Sequence, residues 1–285
     1  MIRSLPRSRL YRFGYGLFVA LFYLFLFAPL IVISVLAFND SNFVSLPWNG
    51  FTLDWFFADG PDRIGLFHDP ELLRSLWISV ETGLIVATLS LVVGTMGAFL
   101  FVQERFPLKE PLYFLAIAPL VIPGVILGIS ILLTATAAGD WIEAHTGIDV
   151  GFLRPSFWLV VLGQFSFITT FVLLVVIARL KKFDRTLEEA ARDLGANRAT
   201  VIRTVTVPYL MPSLVGSFVV AFLMSFGNFN TTLFLVGSDA TLPIELYTQI
   251  RDGSTPVLNA VSFLLIVLTS SLALLYLLLA KKEKE

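Results

Sequence analysis

Leu187–Pro212 reads LEEAARDLGANRATVIRTVTVPYLMP, a polar and charged stretch set between two long apolar runs. Its spacing predicts two short helices with a break. Thr186, with Glu189 three residues on, has the pattern of a capping box, in which each side chain satisfies a free backbone N–H of the other. Leu187, Ala190 or Ala191, and Leu194 then share one helical face. Gly195 suits the left-handed residue that ends a helix. Asn197 is a fitting cap for the next helix, which is expected to stop before Pro208 because proline lacks the N–H and its ring crowds the preceding turn.

The flanking runs decide what surrounds this stretch. The chain of 285 residues is 56% hydrophobic and only 14% charged, with 27 Phe and no Cys. Its mean hydropathy is +0.84. A soluble domain of this size does not need so much apolar surface, so the composition defines an integral membrane protein. The absence of Cys excludes disulfides and thiolate metal sites. His68 and His145 are too few for a histidine metal cluster, so no metal site is expected. The basic N-terminus resembles a signal peptide, but the run after it is too long and lacks a small-residue cleavage site; it reads as an uncleaved anchor.

Six runs have the roughly 20 apolar residues needed to cross a bilayer. They fall at about 13–38, 76–102, 111–136, 157–180, 213–236 and 257–280, and residues 1–285 read as one transmembrane domain with a polar loop at 181–212. Barrel strands are about half as long, so the spans are helices and the fold is all-α. Lys and Arg orient it. Arg3, Arg7, Arg9 and Arg12, then Arg105 and Lys109, then Arg179, Lys181, Lys182, Arg185, Arg192, Arg198 and Arg203, and finally Lys281, Lys282 and Lys284 gather on one side. Only Arg63, Arg74, Arg154 and Arg251 fall on the other. Both termini and the loop are therefore expected in the cytoplasm. Trp48, Trp55, Trp77, Trp141 and Trp158 all fall at the outer side, as interfacial anchors do. The basic face suits topology and lipid headgroups, and nucleic acid is not an expected partner.

With the spans in place, the opening stretch resembles the cytoplasmic EAA loop of ABC-importer permeases. That pattern is E-A-A, three residues, G, nine residues, then I-x-L-P. Here it stands as Glu189-Ala190-Ala191, Gly195 and Val205-Thr206-Val207-Pro208, with Val for Ile and Leu. The other reading of the same residues is an ordinary interfacial helix pair. FNDS and NGFTLDWF after the first span, APLVIPGVILGISILL in the third, and YTQIRDGSTPVLNA before the sixth resemble the second permease of spermidine/putrescine-type importers. The resemblance runs from the first span to the sixth. It implies the type I ABC-importer permease fold, a bacterial inner-membrane location and transport by alternating access. It implies a coupling site at Glu189, Ala190, Ala191, Leu194, Gly195 and Pro208. It also implies two ATPase subunits, a second homologous permease and an extracytoplasmic substrate-binding protein as partners. The chain has no G-x-x-x-x-G-K-[ST] loop, so ATP and Mg are expected on the partner ATPase and no cofactor on this chain. A secondary transporter or channel without an ATPase is the alternative, and a membrane enzyme a further one. The EAA-like loop opposes the first, and the lack of clustered His, Cys or carboxylates opposes the second.

Candidate pathway residues are polar groups inside apolar runs. Ser225, Asn228 and Thr232 fall at i, i+3 and i+7, one face of a continuous helix. They either line the pathway or bond helix to helix, since buried polar groups require partners. Gln164 is a further candidate. Glu81 is either functional, as intramembrane carboxylates are by default, or a headgroup-level partner of Arg74. Relatives of the polyamine type often carry adjacent acidic residues where this chain has Gly227-Asn228, which bears on whether the solute is cationic. Pro119, Pro123 and Gly124 break the third span, either to line a cavity or for packing. The acidic first outer loop, Asn39–Ser75, reads as a docking surface for the binding protein or as a solvated connection.

Overall fold

Within lipid the backbone must satisfy its own hydrogen bonds, and the apolar runs accordingly fold as helices. The computed structural model describes residues 9–44, 46–61, 63–253 and 255–282, with side chains as far as residue 271. Arg3, Arg7, Asp62, Ser254 and the end of the KKEKE tail lie outside the described residues. The helices are α1 (Arg9–Leu36), α2 (Asp54–Phe57), α3 (Pro70–Gln103), α4 (Lys109–Val121), α5 (Gly124–Thr146) and α6 (Phe157–Leu180). They continue as α7 (Thr186–Asp193), α8 (Arg198–Val201), α9 (Val207–Phe226), α10 (Thr232–Leu235), α11 (Leu242–Gly253) and α12 (Val257–Lys282). Among the described residues, strand pairing is limited to isolated bridges, Asn39 with Phe51 and Asp59 with Ile64.

Leu10–Leu36, Pro70–Gln103, Gly124–Thr146, Phe157–Leu180 and Arg198–Phe226 are each long and apolar enough to cross a membrane. The sixth span is α12, apolar over Val257–Ser271 among the described residues. The fold is thus an all-α membrane protein of six spans.

The chain forms two compact units. One is Arg74–Tyr247. At its centre α6 packs on α9, α4, α5 and α10. Ile168, Val172, Leu173, Val176 and Ile177 of α6 are buried against Val86, Ala87 and Ala98 of α3 and Leu210 and Ala221 of α9. Lipid tails are as apolar as these side chains, so close packing and polar contacts between helices hold the unit together. Thr169 Oγ1 donates to Ser90 Oγ at 3.2 Å, and Thr170 Oγ1 to the Ala116 carbonyl at 2.7 Å.

The other unit is Met1–Leu73 with Thr248–Glu285. Here α1 packs on α12. The loop between α1 and α3 is folded rather than a loose connection. Phe38 stacks on Phe51 and meets Phe56 and Phe263 edge-on or tilted. Trp55 Nε1 donates to the Asn39 carbonyl at 2.8 Å. Arg63 bridges Asp40 at 2.6 Å and Asp54 at 3.2 Å, and its guanidinium lies over the Trp55 ring. The bond to Asp40 raises the Arg63 pKa above its ordinary value.

Several expectations need correction. The third span is not a kinked helix but two, α4 and α5, because Ile122 and Pro123 are extended. α5 runs on past 136 to Thr146, α3 begins at Pro70 rather than 76, and the last loop between spans holds α11. The fifth span is not helical to 236. It ends at Phe226, so Ser225, Asn228 and Thr232 do not share one helical face. The helix after Asn197 does not stop before Pro208. It passes through a π-turn, Ile202–Thr206, and continues as α9. The wider turn makes room for the proline ring, and the missing N–H falls where a new helical segment starts. The capping box is also absent: Thr186 lies inside α7, and Asp184 accepts from its N–H and hydroxyl at 3.0 and 2.9 Å. Those two bonds, the backbone one first, hold the Asp184 pKa below the usual carboxylate range.

Candidate functional site: the surface helix and the broken spans

Two places in the unit Arg74–Tyr247 collect the candidate residues. The first is α7. Its end is a Schellman motif: Gly195 N–H donates to the Arg192 carbonyl at 2.8 Å and Ala196 N–H to the Ala191 carbonyl at 3.1 Å. This requires the left-handed backbone that Gly195 adopts, with φ of +87°. A Cβ at Gly195 would meet nothing within 4 Å, so the constraint there is conformational and not steric. Asn197 caps α8 as expected, its Oδ1 accepting from Thr200 N–H at 2.9 Å.

α7 buries none of its residues. Leu187 is 51% and Leu194 89% exposed, and Glu189 and Ala190 are exposed beside them. Leu187 and Leu194 thus stand bare on and at the end of a short charged helix. Below α7 lies a polar cleft of about 430 Å³. Across it Arg198 pairs with Glu104 at 3.2 Å, and Arg185 donates to the Val102 carbonyl at the end of α3 at 3.1 Å. Glu188 accepts from Thr206 of the π-turn at 2.6 Å, a contact that the sequence does not signal. Pro208 sits just beyond that turn.

The second place is the break in the fifth span. Gln164 of α6 has no exposed surface. Its Nε2 donates to Thr232 Oγ1 at 2.8 Å, and its Oε1 accepts a short bond from Ser225 Oγ. Asn228 Oδ1 in turn accepts from Thr232 N–H at 3.2 Å and Thr232 Oγ1 at 2.9 Å, starting α10. The four polar residues therefore meet, though not through the periodicity that suggested them. Ser225 and Thr232 are buried, Asn228 half-buried, and Asn230 exposed.

The break in the third span adjoins the break in the fifth. Gly128 of α5 lies so close to Thr231 that a Cβ would stand 2.8 Å from the Thr231 carbonyl oxygen, and Gly124 abuts Asn230 and Thr231. Thr231 Oγ1 is buried with no hydrogen-bond partner. Glu81 is not part of this cluster: it is exposed on α3, and Arg74 pairs with Asp239 at 2.5 Å rather than with Glu81. Hydropathy could not find the Thr231 contact, since glycines in an apolar run signal close approach without naming the neighbour.

The chain thus has six spans, two of them broken at adjoining points, and an exposed surface helix between the fourth and fifth. Comparison with known proteins identifies the kind. Residues 88–284 match the family described as binding-protein-dependent transport system inner membrane component, and the chain belongs to that family. It is 31% identical over 264 residues to the putrescine transport system permease protein PotI of Escherichia coli (strain K12), covering 92% of this chain and 89% of that one. It is 28% identical over 269 residues to the spermidine/putrescine transport system permease protein PotC of the same strain, covering 94% of each. Its fold is similar to a bacterial ABC transporter involved in the import of the acidic polysaccharide alginate, with a TM-score of 0.69 and 14% identity over 98% of this chain and 99% of that one. The MetNI methionine ABC transporter is similar over 70% of this chain and 90% of its own, with a TM-score of 0.54 and 16% identity. The protein is a multi-pass inner-membrane permease.

Proposed function

We propose that this chain is one permease subunit of an ABC importer, moving a small polar organic solute of polyamine-like or related amine or amino-acid type inward by alternating access. A second homologous permease completes the pathway. Two ATPase subunits bind ATP and Mg and hydrolyse ATP, and this chain carries no catalytic role. An extracytoplasmic binding protein delivers the solute to the outer loops. Both termini and the loop 181–212 face the cytoplasm.

The observation that carries this reading is α7. In a chain of this family, a helix with bare Leu187 and Leu194, ended by Gly195, supports docking into a groove of the ATPase. Glu189, Ala190 and Ala191 complete that surface, and Pro208 joins it to the fifth span. The adjoining breaks of the third and fifth spans support a pathway there, with Asn228 and Asn230 beside the solute and Gln164, Ser225 and Thr232 holding the break in shape. Irregular backbone at membrane depth is tolerated where it is buried in protein or lines an aqueous cavity. Glu81 is a weaker pathway candidate, because it stands apart from the breaks. The names of the relatives support putrescine and spermidine as the first solutes to test.

The test is uptake into vesicles carrying the purified permease pair and ATPase, with binding protein outside and ATP inside. Uptake of putrescine or spermidine that requires both ATP and binding protein is the expected result. Uptake that continues without the ATPase subunits would replace this reading with an ATPase-independent transporter.

A further inference from the structure

We propose that Glu188 and Thr206, neither of them a fixed position of the EAA pattern, form the clip through which movement of α7 reaches the fifth span. The proposal rests on the reading that α7 docks on the ATPase. A helix that follows an ATPase must be attached to the membrane helix it drives, yet α7 buries no residue of its own. Its apolar side chains point outward, so apolar packing cannot supply the attachment.

Among the described side-chain contacts of α7, the one that reaches the π-turn is made by Glu188. Its Oε1 accepts from Thr206 Oγ1 at 2.6 Å, within the range of a charge-assisted bond. Thr206 has no exposed surface, and the Glu188 side chain only 12%. Arg192, one turn away within α7 and exposed, approaches Glu188 at 3.9 Å. Exposed pairs of this kind contribute little.

The position of Thr206 gives the bond its consequence. It is the last residue of the π-turn, and α9 begins at the next residue. A π-turn holds its residues with one bond per wider ring and often marks a functional position. Pulling on Thr206 therefore acts at the point where the surface segment becomes the span. A buried hydroxyl held by a carboxylate transmits that pull, because breaking the bond strands the Thr206 hydroxyl away from water.

The experiment compares Thr206→Ala with Thr206→Ser in the complete complex. Both remove the γ-methyl, and only Ser keeps the hydroxyl. Solute moved per ATP hydrolysed, thermal stability and retention of the ATPase on purification are measured for each. Thr206→Ala is expected to lower solute moved per ATP by roughly tenfold, as loss of a bond to a charged group shifts an equilibrium, with the ATPase retained. Thr206→Ser should remain within about twofold of the parent, allowing for scatter in such contributions. Glu188→Leu should match Thr206→Ala, and the double variant should lose no more than either alone. Equal losses in Ala and Ser, or additive losses in the double variant, would overturn the clip. So would a Thr206→Ala complex that sheds its ATPase, since the residue would then serve docking. Leu194→Asp, measured alongside, tests the docking reading itself: it should release the ATPase. A Leu194→Asp complex that keeps its ATPase removes the docking reading, and with it the premise of the clip.

Discussion

Replacing Gln164 by Leu isolates the polar staple at the break of the fifth span. Leucine is close to glutamine in size, so the change removes an amide without opening a large cavity. Two bonds are lost, one to Thr232 at 2.8 Å and one from Ser225. Interhelical bonds in membranes contribute about 0.6 kcal/mol on average and up to about 1.7 each. Thr232 keeps Asn228 as a partner, whereas Ser225 is left buried with its Gln164 acceptor gone. The net loss is therefore about 1–3 kcal/mol, allowing for the cost of a stranded hydroxyl. At about 2–4 °C per kcal/mol for a unit of this size, the melting temperature falls by roughly 2–12 °C. Intrinsic Trp fluorescence on heating in detergent reads the fall, and ATP-driven uptake is measured on the same preparation. Ser225→Ala in the Gln164→Leu background should cost nothing further, because the pair has already been broken. An unchanged melting temperature with unchanged uptake in Gln164→Leu, or fully additive losses with Ser225→Ala, would refute the staple.

Gly195→Asp is expected to insert normally but to lose transport and transport-coupled ATP hydrolysis, because a side chain at φ of +87° opposes the turn by about 1–2 kcal/mol. Uptake and ATPase rates together check this, and Gly195→Asn, which tolerates that backbone better, should retain more of both. Gly128→Ala places a methyl carbon against the Thr231 carbonyl, 2.8 Å away before any shift; the cost of overpacking is about 1–3 kcal/mol, read as a lower melting temperature and weaker uptake. In the Cys-free chain, cysteine at Thr255 should react with an impermeant maleimide on intact cells and cysteine at Ala199 should not. Equal labelling would overturn the orientation.

What the sequence makes legible is whatever a single residue decides locally. Gly195 and Asn197 have one sensible role each, and both take it. Of the two prolines expected to break the third span, Pro123 stands in the break, whereas Pro119 lies inside α4. The break at Gly227 hides because the polar residues around it fall by chance at helical spacing inside an apolar run. What decides is the Asn228 side chain, which competes for the Thr232 N–H and starts a new helix there. The cap at Asp184 is hidden differently. Asp184 and Thr186 are both good capping residues, and only the path of the chain after Lys182 selects between them. Pro208 misleads because the rule for α-helices does not foresee a π-turn. The amphipathic α11 is too polar for hydropathy to register. Gln164 was visible as a polar residue out of place, but its partners lie 61 and 68 residues away, beyond any local pattern.

The pairing of α1 with α12 governs how the protein is made. The apolar run of α1 is exposed, and its packing partner in the same unit is α12. At about 5–20 residues per second, the ribosome needs roughly 10–40 s to reach α12 after α1 has emerged. Through that interval α1 must rest in lipid without α12, which its long apolar run allows. Closure of this unit is therefore a late, post-insertion event, and a ribosome that stalls before Val257 leaves a membrane-anchored chain with one face of its first helix open to quality-control proteases.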